Sequence, residues 1–125
     1  MGQEVVFKKT VLFDETLADQ IRKSGVKLAD RFTAFLDSKK QNPLQPFGSN
    51  DKPFIKEGPL GRAIPNETLL HAHLTRDISV VYSLSGKDPR ILKLYGIFTH
   101  SDLGTGTPGN VRKQQSMADR LARVS

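Results

Sequence analysis

The chain has 125 residues, enough for one compact domain and too few for a second apolar core. Lysine and arginine outnumber aspartate and glutamate by 19 to 13, and the net charge of +6 favours a polyanionic partner such as nucleic acid or an acidic protein. The absence of cysteine excludes disulfides and thiolate metal ligands.

The N-terminal residues predict a strand and no targeting segment. Residues 4–13, EVVFKKTVLF, are rich in β-branched and aromatic types, and we expect the strand to end near Lys9. The opening residues lack the apolar core of a signal peptide, and no apolar run approaches the about 18 residues of a membrane span. We therefore expect a cytoplasmic protein with no membrane partner.

Two short amphipathic helices are predicted next. Asp14 is the expected N-cap of the first helix, and Gly25 is its expected end. In the second helix, apolar residues recur at the spacing of one helical face, namely at Leu28, Phe32, Phe35 and Leu36. Two such helices in series predict a helical hairpin that covers an apolar surface.

A long loop is predicted over residues 41–66. This segment contains five of the seven prolines and three of the ten glycines, a composition that disfavours a long helix or strand. Its apolar residues are expected to attach the loop to the body of the protein, and they are Phe47, Phe54, Ile55 and Leu60.

Three strands are predicted after the loop, in the segments ETLLHAHL, DISVVYSL and RILKLYGIFTH. The short connectors TR and SGKDPR would join them as two consecutive antiparallel hairpins. The element order predicts a single α+β domain over residues 1–125, with the helical hairpin packed on one face of a mainly antiparallel sheet. The other face is expected to stay available for binding.

The residues that follow the last strand predict a glycine-rich turn and a C-terminal helix. The turn, SDLGTGTPGN, lacks the lysine of a phosphate-binding GxxxxGK loop. Met117, Leu121 and Val124 then follow helical spacing behind a candidate cap, Asn110. Residues 105–125 carry four basic residues against one acidic residue, a net charge of +3. Two interpretations stay open: a helix docked through Met117 and Leu121, or an arm that contacts RNA.

All three histidines of the chain lie at the ends of two predicted strands. His71 and His73 share one strand face because side chains alternate with a period of two. Asp77 follows His73 across the predicted turn, and His100 ends the last strand. We expect His73, Asp77 and His100 to converge on an exposed, basic face of the sheet, opposite the second helix.

Three imidazoles and a carboxylate have two chemical interpretations. An HxH pair with a further histidine and an aspartate can bind zinc or iron. No HExxH motif or second acidic cluster accompanies the pair, and we expect no metal and no cofactor.

The second interpretation is metal-free cleavage of RNA. This reaction needs a base for the 2′-hydroxyl proton, an acid for the leaving 5′-oxygen and cations for the phosphate. Histidine, with an ordinary pKa of about 6.5, serves in either proton-transfer role. The candidate cations are Arg76, Arg62 and Lys56. For any single histidine, a purely structural role in the sheet is the alternative.

The run HAHLTRDISVVYSLSG, followed by a strand ending GIFTHSDLG, resembles the RelE superfamily of bacterial toxins, most closely its YafQ branch. The resemblance covers residues 5–104, and its specific part is confined to residues 58–104. The upstream order of a strand, two helices and a loop containing GPL also fits. The resemblance implies an endoribonuclease that cleaves mRNA, usually on the ribosome, and that a cognate antitoxin neutralises.

The resemblance also assigns roles by position. His73 and Asp77 match the histidine and aspartate that precede the family's third strand, and His100 matches its closing histidine. Tyr82 would be mainly structural. His71 is the candidate replacement for a loop histidine that this chain lacks.

Three positions depart from the family pattern. Ile78 stands where an aromatic residue follows the aspartate, and Gly58 stands where a histidine precedes the proline. Gly104 stands where an aromatic residue follows the leucine of the closing motif. These departures bear on base stacking and on one proton-transfer role.

Two other functions fit parts of the pattern. Gyrase poisons of the ParE type share the fold implied by the resemblance but act by binding, and they need no histidine cluster. A nonenzymatic module that binds RNA or protein would need only a basic face.

Overall fold

The computed structural model describes residues 4–87, 89–106 and 108–125, and over these it has five strands and four helices in an α+β arrangement. The strands are β1 (Val5–Lys9), β2 (Lys52–Pro53), β3 (Leu69–His73), β4 (Ile78–Ser85) and β5 (Arg90–Thr99). The helices are α1 (Val11–Ser24), α2 (Val26–Gln41), α3 (His100–Leu103) and α4 (Val111–Val124). The predicted turns at 85–90 and 101–110 each include one residue outside the described ranges, Asp88 and Thr107.

The five strands form one mixed sheet in the order β1-β5-β4-β3-β2. The β3–β4 and β4–β5 pairings are antiparallel, as the two predicted hairpins require, whereas β1 pairs with β5 in parallel. The two-residue strand β2 was not predicted, because residues 41–66 were assigned to a loop; its Lys52 pairs with His71. The β3–β4 connection is also longer than the predicted TR and spans residues 74–77.

Helix α1 begins earlier than the sequence predicted. The Thr10 hydroxyl accepts a hydrogen bond from the Phe13 amide at 3.1 Å, so Thr10 is the N-cap and the prediction of Asp14 was wrong. Asp14 instead lies in the first turn, where its charge complements the helix dipole and its carboxylate contacts Lys9 at 2.9 Å. Gly25 ends α1 as predicted, with a φ of 75° that favours glycine.

Apolar side chains of α1 and α2 form one buried cluster with one face of the sheet. From the helices it contains Phe13, Leu28, Phe32 and Phe35, and Leu36 packs at its edge. From the strands it contains Ala72, Val80, Tyr82, Leu92, Leu94 and Ile97. We call this side of the sheet the helical-hairpin face.

The opposite side of the sheet, which we call the second face, is also covered, so the prediction that it stays open was wrong. Its apolar cluster includes strand residues Leu69, Val81, Tyr95 and Phe98, loop residues Phe54, Leu60 and Ile64, and helix residues Leu103, Met117, Ala118 and Leu121. Helix α4 is therefore docked through Met117 and Leu121, one of the two interpretations left open by the sequence. Ile55, expected to attach the loop, is 77% exposed.

A buried polar network fixes the loop that follows α2. Lys39 Nζ lies 2.6 Å from Asp51 Oδ2 and donates to the Gln45 carbonyl at 2.8 Å. The other Asp51 oxygen accepts a hydrogen bond from the Tyr82 hydroxyl, and the Phe47 amide donates to Oδ2 at 2.7 Å. Burial and the hydrogen bond to Asp51 raise the pKa of the Tyr82 hydroxyl, which therefore stays protonated.

No helix among the described residues is both long enough and apolar enough to cross a membrane.

Candidate active site

The alternation of β3 places His71 and His73 on the second face of the sheet. His71 lies opposite Val81 and His73 lies opposite Ser79 in the antiparallel β3–β4 register. Both residues are partly exposed. The buried hydroxyl of Ser79 has no hydrogen-bond partner among the described residues.

His100 reaches the same place from the end of β5. It is the first residue of α3, whose start is fixed by a reciprocal capping box between Thr99 and Asp102. The His100 amide donates to the Asp77 carbonyl at 3.0 Å, which extends the pairing of β4 and β5 beyond the strands. The two residues predicted to converge with His73 are therefore held against each other by the backbone.

The structure brings His73, Asp77 and His100 together. His73 Nε2 and His100 Nε2 are 3.1 Å apart, a hydrogen-bond distance at which one ring donates and the other accepts. Asp77 Oδ1 lies 3.9 Å from His100 Nδ1, on the far side of the ring from His73. The two imidazoles can thus exchange a proton, while the carboxylate faces the remaining nitrogen of His100.

The environment of His73 favours its neutral form. Its pKa is held below the ordinary value, first by burial and then by the charges of His100 and Lys52. A neutral imidazole keeps one ring nitrogen free to accept a proton near neutral pH.

His71 lies deeper and makes a different contact. Its ring stacks on Phe54, with centroids 4.4 Å apart and planes inclined by 28°. Burial, helped by the charges of His73 and Lys52, lowers the pKa of His71 to about 4. His71 is therefore uncharged near neutral pH, and its ring centroid is 6.4 Å from that of His73.

Four rings consequently form a row along this edge, in the order Phe54, His71, His73, His100. A cavity of about 410 Å³ opens at the His100 end. It is lined by Asp77, His100, Ser101, Gly104, Gly106, Pro108, Asn110 and Lys113.

The predicted cations are not gathered at this cavity. Arg76 is exposed in the turn directly before Asp77. Lys56 and Arg62 line a different groove, of about 1030 Å³, which Phe54 also lines. The loop that carries them is attached through its buried apolar residues Leu60 and Ile64, and this leaves both basic side chains exposed near the Phe54 end of the row.

Ser101 and Lys113 line the cavity, but the sequence did not predict either of them as a site residue. Lys113 Nζ donates to the Ser101 hydroxyl at 3.2 Å, beside His100. The candidate cap Asn110 did predict where α4 begins, and hence that Lys113 lies in its first turn. The proximity to His100 depends on how α4 returns across the sheet, which no local pattern reveals.

The structure explains one departure from the family pattern and shows the surroundings of another. Gly104 has a φ of 76°, and a Cβ there would lie 2.6 Å from the Asn110 carbonyl oxygen. The close approach of α4 therefore excludes the aromatic side chain that the pattern expects. Ile78 is buried in the cluster on the helical-hairpin face, away from the histidines.

Within residues 4–87, 89–106 and 108–125, no group of three or more histidine, cysteine, aspartate or glutamate side chains is arranged to hold a metal ion.

Comparisons of the chain with protein-family models, with curated proteins and with solved structures found no match.

Proposed function

We propose that this chain is a toxin endoribonuclease of the RelE type, which cleaves mRNA on the ribosome in the cytoplasm and is neutralised by a cognate antitoxin. The observation that carries the proposal is the 3.1 Å contact between the His73 and His100 imidazoles beside Asp77, on a partly exposed edge. Two imidazoles at one point supply both proton-transfer roles of phosphodiester cleavage. The net charge of +6 supports an RNA substrate.

The reaction needs no co-reactant. The ribose 2′-oxygen attacks the adjacent phosphorus, and the bond from phosphorus to the 5′-oxygen breaks. One proton leaves the 2′-hydroxyl and one proton joins the departing 5′-oxygen. The products are a 2′,3′-cyclic phosphate and a 5′-hydroxyl, and no oxidant, reductant or metal enters the balance.

The environments of the two imidazoles suggest which one serves in each role. His73, whose lowered pKa favours the neutral ring, acts as the base towards the 2′-hydroxyl. His100, in the open cavity, acts as the acid towards the 5′-oxygen. The 3.1 Å contact then lets the proton collected by His73 return to His100 after cleavage. Asp77, 3.9 Å from His100 Nδ1, orients that ring.

The remaining predicted residues receive supporting roles. His71, stacked on Phe54 and uncharged near neutral pH, fills the row of rings and supports His73. Arg76 contacts a phosphate of the strand near Asp77. Lys56 and Arg62 bind the strand farther along, in the groove beyond Phe54.

A binding protein without catalysis, of the ParE type or another kind, is the rival function, and a double variant separates the two. In His73→Gln, His100→Gln, both rings are lost while polar side chains remain. We expect this variant to bind RNA as the wild type does but to leave it uncut. Suppose that the variant still arrests growth while the mRNA ends in those cells stay as they were before induction. That result would favour the binding protein.

A second measurement defines the reaction itself. RNA ends are sequenced after brief expression of the wild type, with a step that detects 5′-hydroxyl ends. We expect new 5′-hydroxyl ends within coding regions of translated mRNA. New ends that carry 5′-phosphate would contradict the transesterification chemistry.

A further inference from the structure

The cavity beside His100 joins two distant parts of the chain. One wall comes from Asp77 and α3, and the other comes from the glycine-rich turn and the first turn of α4. The His100 imidazole lies at this cavity, and two further side chains present hydrogen-bond donors to it, namely the Ser101 hydroxyl and the Lys113 ammonium. The proton-transfer roles use only His100.

The backbone around Gly104 fixes the position of Lys113. The Asn110 amide donates to the Gly104 carbonyl at 2.8 Å, and the Gln114 side chain donates to the same oxygen at 2.9 Å. The Asn110 side chain in turn accepts from the Lys113 amide at 3.1 Å. The first turn of α4 is therefore tied to the end of α3, and the stem of Lys113 starts beside the cavity.

The charge of Lys113 is not neutralised by the protein. Its ammonium contacts the uncharged Ser101 hydroxyl at 3.2 Å, and no described carboxylate lies within ion-pair distance. Lys9, Lys23 and Lys39, by contrast, each have an aspartate partner. A cation held by one hydroxyl at a cavity mouth keeps its charge for an incoming anion.

The donor set fits a phosphate group. An ammonium and a hydroxyl can each donate to a separate phosphate oxygen, and such charge-assisted bonds are about twice as strong as neutral ones. Asp77 also lines the cavity and repels an anion. An anion would therefore lie towards Ser101 and Lys113, with His100 between it and the carboxylate.

We propose that Ser101 and Lys113, beside His100, form a phosphate-binding subsite for an RNA strand, in which Lys113 neutralises the phosphate that is attacked. The subsite rests on the proposed function in one respect, namely that the bound phosphate is the one at the point of cleavage. Recognition of a nucleotide phosphate by these residues is a separate property and can be measured without cleavage.

The binding test uses uridine 3′-monophosphate, with uridine as the probe that lacks phosphate. NMR titration of the full chain follows the His100 ring and the Lys113 amide. We expect the nucleotide to shift both signals and uridine to shift neither. In Lys113→Gln the dissociation constant should rise at least about tenfold, as for loss of one hydrogen bond to a charged group. Lys113→Arg should recover part of the affinity.

Arg112→Gln is the matched control, because it removes one exposed charge from the same helical turn. We expect the control to bind the nucleotide as the wild type does. Equal weakening in Arg112→Gln and Lys113→Gln would mean that only overall charge matters, and it would overturn the subsite. Binding of the nucleotide that is unaltered in Lys113→Gln, or binding of uridine with equal affinity, would overturn it as well.

The two proposals fail in different ways. If the wild type binds the nucleotide through Lys113 but never cuts RNA, the subsite stands and the endoribonuclease does not. If the wild type cuts RNA and Lys113→Gln matches it in both cleavage and nucleotide binding, the endoribonuclease stands and the subsite does not. If both hold, cleavage by Lys113→Gln should fall at least about tenfold in kcat, with an unchanged melting temperature.

Discussion

Lys39 and Asp51 form a 2.6 Å ion pair in which both side chains are shielded from solvent. The pair tolerates burial because the Gln45 carbonyl, the Phe47 amide and the Tyr82 hydroxyl satisfy its remaining hydrogen bonds. It therefore joins α2, the loop and the sheet at one point.

Removing one member of this pair should be costly. We expect Asp51→Ala to lower the free energy of unfolding by about 3 to 5 kcal/mol, because it leaves the Lys39 charge buried without a partner. Urea denaturation followed by circular dichroism measures the change. The exposed Lys9–Asp14 pair is the control, and Asp14→Asn should cost about 1 kcal/mol or less. Similar losses in the two variants would contradict the role assigned to the buried pair.

His100 should matter for activity and His71 for stability. His100→Ala removes a proton-transfer group from an open cavity, so we expect a folded protein whose rate of RNA cleavage falls about 10²- to 10⁴-fold and which no longer arrests growth. His71→Ala removes a ring stacked on Phe54, and we expect a loss of about 1 to 3 kcal/mol in stability with growth arrest retained. Growth assays and thermal melts distinguish the two variants.

The reverse result would relocate the active centre. If cells are arrested at full strength by His100→Ala but not by a folded His71→Ala, the chemistry belongs to the first histidine of HAH.

Stability should fall in acid because of His71. Its pKa is about 4 in the folded chain and about 6.5 when unfolded, so between these values the unfolded chain binds more protons. Stability due to the neutral ring is therefore present above pH 6.5 and is lost as the pH falls towards 4. Allowing for partial exposure of the ring, we expect a loss of about 1 to 2 kcal/mol.

The variant His71→Gln separates the contribution of His71 to the pH dependence of stability from the contributions of neighbouring titratable groups. The lowered pKa of His73 acts in the same direction, and Lys52, Asp51 and His100 also influence His71. Denaturation curves of the variant across this pH range should show a shallower pH dependence than those of the wild type. Parallel profiles would show that His71 is not the group responsible.

RNA cleavage should not depend on a protein-bound metal. We expect protein treated with EDTA, and then freed of it, to cut mRNA on ribosomes at the wild-type rate, because the proposed proton transfers use imidazoles alone. Elemental analysis of the untreated protein provides the control. Zinc at one ion per chain, together with activity that returns only when zinc is added, would favour the metal interpretation of the HxH pair.

Gly104 should resist substitution. In Gly104→Ala, the positive φ is strained and the new Cβ would lie 2.6 Å from the Asn110 carbonyl oxygen, so the start of α4 must move. We expect a loss of about 1 to 3 kcal/mol in thermal or urea unfolding. Gly106→Ala is the control for stability, because its nearest contact would be His100 Cβ at an ordinary 4.0 Å. A similar loss of stability in Gly104→Ala and Gly106→Ala would mean that the effect belongs to the whole glycine-rich turn and not to Gly104.

Local patterns were enough to predict much of the chain. Periodicity predicted α2 through Phe32 and Phe35, and alternation predicted that His71 and His73 share a face. The apolar spacing of Met117 and Leu121 likewise indicated which side of α4 packs on the sheet, although docking was only one of two interpretations left open.

Long-range packing accounts for the structural features that the sequence did not predict. A two-residue strand such as β2 carries no period, and the partner of β1 lies far along the chain. The cap of α1 was misplaced because Thr10 and Asp14 are both good caps, and the choice depends on where Thr10 meets β5, through its hydroxyl bond to the Tyr95 carbonyl at 2.9 Å. The cavity cation Lys113 reaches His100 only through the return of α4.

The parallel pairing of β1 with β5 has a consequence for synthesis of the protein. Val5 pairs with Arg90, which lies beyond α1, α2, the long loop and the strands β2, β3 and β4. Contacts so distant in sequence form late and slow the folding rate. Lys113 follows β5 in the chain, so the full cavity can form only after the strands that support it have been synthesised.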